Sequence, residues 1–217
     1  MADALRTEYG VLATMLSTVW YASLFRVSLL LGVVSAVGVA LGFVARAGGG
    51  IGGKFGTFAL VALPLALFLG ITTFVRTVEL QREAWVYITG MNRIRHAMVD
   101  ATPATAPYLV LPVYDDAPGM YRSQGTGIRM RPPKPRLMFA LAQTQGIVAV
   151  ISAALAAATG GIATAGFNAQ LPWAIAAVVF VLVLGTLLMY WNRSFSELHK
   201  AIRPMFPTPP EAIDARI

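Results

Sequence analysis

The chain is predicted to be all-α, a polytopic membrane protein with four transmembrane helices, two of them continuing into a small cytoplasmic helical stalk. Three observations carry this. Four stretches, residues 27–45, 57–75, 137–163 and 172–191, contain no Asp, Glu, Lys, Arg or His. Each is long enough to cross a hydrocarbon core about 30 Å thick, at about 1.5 Å per helical residue. Finally, 57% of the 217 residues are hydrophobic and only 12% charged, a balance unusual in a soluble domain of this size.

Helices are the spanning element because residues 58–71 are apolar on every face, whereas a barrel wall alternates apolar and polar side chains. Pro64 is the expected kink in the second span. Lys and Arg set the orientation. With both termini and the connection between spans two and three in the cytoplasm, fifteen of the seventeen basic residues lie inside and only Arg46 and Lys54 lie outside. The net charge of +7 then reflects topology and contact with the anionic headgroups of the plasma (inner) membrane, with no nucleic-acid partner expected.

The organisation follows in chain order. Residues 1–26 form a cytoplasmic amino-terminal segment, 27–75 a first transmembrane hairpin, 76–136 a cytoplasmic helix extension and loop, 137–191 a second hairpin, and 192–217 a cytoplasmic carboxyl-terminal helix and tail. In the first, Tyr9, Leu12, Met15, Trp20 and Phe25 suit either a helix lying in the interface or a straight extension of the first span. Beyond the second span, Leu80, Tyr87, Met91, Ile94 and Met98 recur at helical spacings, off which Arg82, Arg93 and His96 fall. Beyond the fourth, Phe195, Leu198 and Ile202 do the same until Pro204 stops the helix. The two stripes are expected to bury against each other as a stalk with Gly90 as its weak point, so that Ile94 matters more than its neighbour Arg95.

The connection 101–136 is long for a structureless link. Its apolar residues 108–114 read as a short extended segment, and Asp115, Asp116, Ala117, Pro118 and Gly119 as a turn. Arg129, Arg131, Lys134 and Arg136 form a basic run for lipid headgroup contact, where each cation near an anionic surface is worth about 1 kcal/mol.

Small residues mark the packing faces. Ser28, Gly32, Ser35 and Gly42 share one face of the first span, with Gly38 and Gly42 also four apart, while Gly146, Ala149, Ala153, Ala156 and Gly160 repeat along the third. Either the two faces meet inside one monomer, or at least one is a subunit interface. Gln143 and Gln145 are the most expensive in-span groups to bury unpaired. They are the candidate polar membrane site, as a constriction or an interhelical hydrogen bond.

Catalytic constellations are weak. Asp115 and Asp116 lack further acidic ligands and read as a solvated turn. Glu79 and Glu83 share a helix face, but Arg76 and Arg82 each lie three residues from Glu79, so a charge cluster explains them. Arg193 and His199 have the R-x5-H spacing that resembles the short motif of HEPN ribonucleases, a two-residue pattern common by chance, at a position where the membrane edge needs positive charge. The glycines before Lys54 lack the order of a phosphate loop, since Phe55 follows the lysine. With no cysteine, disulfides and thiolate sites are excluded. No cofactor or metal is expected. The function expected is non-enzymatic: an oligomeric scaffold or pore whose cytoplasmic loop receives a partner or signal. The alternatives are a membrane-anchoring subunit of a larger transport complex, and a membrane-bound enzyme.

Overall fold

The computed structural model describes residues 2–48, 53–123, 136–165 and 170–210. It is all-helical, without a strand among the described residues. Helix α1 is Ala2–Ala47, α2 Gly53–Ala101, α3 Ala117–Tyr121, α4 Arg136–Ala142, α5 Thr144–Ala163 and α6 Leu171–Ala201, with a 3-10 turn at Pro103–Tyr108 between α2 and α3. Four of them, α1, α2, α5 and α6, are long and apolar enough to cross a membrane.

Of the two readings of the amino terminus, the continuous helix is the one observed: α1 runs 46 residues without a break. No proline interrupts it, the first in the chain being Pro64 in α2, and its glycines at 10, 32, 38 and 42 are tolerated within the helix. That proline does not end α2, although it removes the N–H that would pair with the Leu60 carbonyl. The third span departs from expectation. Gln143 is extended, at φ −72° and ψ 156°, and splits the stretch into α4 and α5. The chain folds so tightly there that a Cβ at Gly146 would overlap the Ala140 carbonyl oxygen and the Leu141 Cα. Glycine at 146 thus serves a local turn.

The chain divides into two compact units. One comprises residues 23–78 and 140–193, the other residues 1–22, 79–139 and 194–217.

In the first unit α2 and α5 are central. About a third of their most apolar stretches is buried (33% and 39%), against 6% for α1 and for α6. Ala59, Leu63 and Ala66 of α2 and Leu155 of α5 form its core, onto which Val33, Val34, Val37 and Leu41 of α1 pack. Burying a large apolar side chain away from water is worth about 1.5 to 3 kcal/mol. In lipid that drive is absent, and close fit takes its place. The fit is tightest at Gly70, where an added Cβ would stand 2.6 Å from Ser152 Oγ.

The second unit has a conventional core. Trp85, Ile88, Met120 and Leu198 cluster with Leu16, Tyr121, Phe195 and Ile202. Trp85 is its hub, edge-on to Tyr121 at 5.7 Å, Phe195 at 5.6 Å and His199 at 4.8 Å between ring centres. A neighbouring cluster joins Val19 of α1 to Leu80 and Ala84 of α2, with Leu16, Ala22 and Tyr87 around it. The pairing of stripes therefore needs correction. Leu80 and Tyr87 meet α1, and it is Trp85 and Ile88, on the adjoining side of α2, that meet Phe195, Leu198 and Ile202. At Gly90 an added Cβ would touch Leu12 Cδ1 at 3.0 Å, so that glycine admits α1 closely.

Candidate functional site

The polar residues of the second unit converge on one face of α2. Asn92 is fully buried and Arg95 is 5% exposed, so neither is a surface position. Arg95 donates through Nη1 to Asn92 Oδ1 at 2.6 Å and through Nη2 to the Tyr9 hydroxyl at 2.7 Å. Asn92 also accepts from Ser123 Oγ at 3.1 Å and donates to the Tyr114 carbonyl at 2.7 Å. A buried cation demands such partners, because charge stripped of water is costly. Here α1, α2 and the segment after the 3-10 turn supply them together.

Next to Asn92 in the chain, Arg93 begins a second network. Its Nε donates to Asp115 Oδ2 at 2.7 Å, and its Nη2 donates to the Arg203 carbonyl at 2.9 Å. Asp115 accepts further from the backbone N–H of Met205 at 2.9 Å and of Phe206 at 2.8 Å, while its own N–H donates to the Phe206 carbonyl at 3.2 Å. Asp116 accepts from the Thr208 N–H at 2.7 Å and the Thr208 hydroxyl at 2.6 Å. The same carboxylate caps α3 by accepting from the Gly119 N–H at 3.1 Å. Gly119 is needed there, because a Cβ would overlap the Tyr114 carbonyl.

Asp115 and Asp116 are therefore no solvated turn. Asp115 is 2% exposed, and the pair fastens residues 203–208 to α2 and α3. Burial alone would raise the Asp115 pKa, but the Met205 N–H, the Arg93 guanidinium and the Phe206 N–H outweigh it and hold the carboxyl below its ordinary value. His96 completes the seat, its ring stacked on Phe206 at 3.8 Å between centres. The arrangement recognises a peptide backbone. It is not poised for proton transfer, since both Asp115 oxygens are engaged, and among the described residues no three His, Cys, Asp or Glu side chains gather as metal ligands.

The sequence contains two clues to this site. Asp116 followed by Ala117 and Pro118 is a helix start, with a capping side chain and a proline in the first turn. The prolines at 204, 207, 209 and 210 space a segment whose few N–H groups can all be captured.

The other predicted residues lie elsewhere. On α1, Ser28, Gly32, Ser35, Gly38 and Gly42 are all exposed, and among the described residues no neighbouring group comes within 4 Å of where a Cβ would stand on Gly32, Gly38 or Gly42. At about 100° per residue, Ser28, Gly32 and Ser35 fall opposite the side that carries Leu30, Val37 and Leu41 inward. On α5, Gly146, Ala149, Ala153 and Ala156 are buried, and a Cβ on Gly160 would stand 3.4 Å from Ile175 and Val179 of α6. Gln145 is buried and donates to the Thr77 carbonyl of α2 at 3.2 Å, an interhelical bond, while Gln143 occupies the break before α5. Arg136 opens α4; Arg129, Arg131 and Lys134 lie outside the described residues. His199 Nδ1 lies 2.7 Å from the Phe195 carbonyl oxygen. No protein-family model matches the chain, and no curated protein or solved structure does so either.

Proposed function

We propose that this chain is a non-enzymatic, oligomeric scaffold or pore of the plasma (inner) membrane, with both termini and residues 76–136 in the cytoplasm and with residues 101–136 receiving a partner. The observation that carries the reading is the open small-residue face of α1. Among the described residues nothing comes within 4 Å of where a Cβ would stand on Gly32, Gly38 or Gly42, although such residues permit close helix approach only by lacking side chains themselves. The corresponding face of α5 is buried within the chain and is thereby used up. A second copy laid on α1 would give the exposed face an occupant. Any aqueous route would run between copies, since Ala59, Leu63, Ala66 and Leu155 fill the core of the membrane unit.

The basic run ending at Arg136 supplies headgroup contact in this reading. A membrane-bound enzyme is less well supported, because the polar convergence at Arg93, Asp115 and Asp116 is spent on the backbone of residues 203–208. The test is particle mass in mild detergent or native lipid. Gly42→Leu is expected to shift the protein to smaller species while each chain stays folded and inserted. A wild-type particle that contains this chain once beside a different chain supports the anchoring-subunit alternative, and a lone monomer in both proteins removes the oligomer.

A further inference from the structure

The manner in which residues 203–208 are held is that of a bound peptide. From Pro204 to Pro210 there are only three backbone N–H groups, those of Met205, Phe206 and Thr208, and each donates to a carboxylate oxygen of Asp115 or Asp116. The intervening residues are prolines, which have no N–H to leave unsatisfied and which hold the segment near an extended conformation before it docks. Little apolar surface is committed. Phe206 is half-buried on His96, Thr208 is buried, and Met205, Pro207, Pro209 and Pro210 are exposed. The segment is joined to α6, which ends at Ala201, through half-buried Ile202, packed on the Trp85 core, and exposed Arg203.

The geometry points to a peptide-recognition site at Arg93, His96, Asp115 and Asp116 that takes a proline-spaced, extended segment, filled here by the chain's own tail and open to the same segment of a second copy. The inference deepens the partner-receiving role proposed for residues 101–136 and rests on it. An identical tail makes identical contacts with Asp115, Asp116 and His96 whichever copy supplies it, so exchange between copies preserves the interactions of residues 204–208. Neighbouring copies in one membrane also hold the tail at high effective concentration. The Arg93 guanidinium fixes the direction of the bound segment, accepting nothing and donating at once to Asp115 and to the Arg203 carbonyl.

The test uses full-length protein in detergent and a fluorescent peptide with the sequence of residues 203–210. In a full-length variant with Met205→Pro, Phe206→Pro and Thr208→Pro the tail has lost every N–H it presents, so its site is vacated. That variant is expected to bind the peptide, with affinity at least tenfold lower for the wild type and for the vacated variant also carrying Asp115→Asn and Asp116→Asn. A full-length Met205→Pro, Phe206→Pro protein, which removes both N–H groups that Asp115 accepts from and leaves Thr208 unaltered, is the second form of the vacated site should the three prolines together unfold the chain. Failure of the peptide to bind either vacated protein overturns the inference, as does equal binding to the Asn variants. Equal binding of a shuffled peptide of the same composition overturns the assignment of the second copy as its source. None of these outcomes depends on Gly42, so they remain separate from the oligomer test.

Discussion

The Tyr9 hydroxyl accepts a 2.7 Å hydrogen bond from Arg95, whose guanidinium carbon also stands 5.3 Å from the centre of the Tyr9 ring. One residue of α1 thus contributes both a dipole and an aromatic face to the same buried cation. Tyr9→Phe keeps the face and deletes the dipole. It is expected to destabilise the unit containing Trp85 by about 1 to 3 kcal/mol, the penalty for an unsatisfied buried donor. Hydrogen exchange along α1 before Ala22 measures it, and unchanged protection refutes it.

Ile94→Asp and Arg95→Asp should both be damaging. Ile94 is 6% exposed and Arg95 5%, so each change puts a carboxylate into a closed interior. The informative control is Val86→Asp, at 49% exposure, whose effect should stay within about 0.5 kcal/mol. Protease resistance ranks the three, and equal resistance of Ile94→Asp and Val86→Asp contradicts the packing described.

The attachment of residues 203–208 should depend on pH in acid. The Asp115 carboxyl is held below its ordinary value in the folded chain, so the unfolded chain binds its proton first as pH drops. The contribution is complete above the unfolded carboxylate value of about 3.9 and is lost as pH falls through the lower folded one. Protection of the Met205 and Phe206 amides, taken relative to the intrinsic exchange rate at each pH, should therefore fall on acidification below about pH 4. In Asp115→Asn the same amides should already be fast at neutral pH, with that acid step removed.

Gly70 and Gly185 offer a matched pair in the membrane unit. An added Cβ meets Ser152 Oγ at 2.6 Å at the first and nothing within 4 Å at the second. Gly70→Leu is expected to cost about 1 to 3 kcal/mol through overpacking, and Gly185→Leu much less. Thermal unfolding of the two proteins decides, and equal melting temperatures speak against the close approach of α2 and α5.

Cysteine labelling tests the orientation, the chain having no cysteine of its own. Labels at positions 116 and 217 should react from the cytoplasmic side, and labels at 54 and 168 from the outside. External reaction at 116 overturns the topology.

The spans were legible because lipid imposes one requirement on whole stretches, and a missing charge over about 20 residues has few other causes. The break at Gln143 was not, since Gln143, Thr144 and Gln145 bring neither charge nor proline, and the close backbone approach there is one that Gly146 permits without a local pattern. On the second unit, periodicity found Leu80, Ile94 and Leu198 but paired them wrongly, because three elements rather than two share that core and a stripe does not name its partner. Arg95 and Asp115 were read as exposed for a related reason. Their burial depends on Tyr9, some 86 positions away along the chain, and on the Met205 amide, 90 away, and neither separation leaves a local pattern.

The interruption at Gln143 also fixes a length. With 20 residues, α5 is about 30 Å long, close to the thickness of the hydrocarbon core, whereas α1, α2 and α6 have residues to spare. A bilayer a few Å thicker leaves the longer helices immersed by tilting or sliding, but it strands the ends of α5, and α5 is packed against α2 at Ser152 and against α6 at Gly160. Membrane thickness is therefore expected to act on this protein through its most enclosed helix, so that lipid chain length bears on the packing of α5 against α2 and α6.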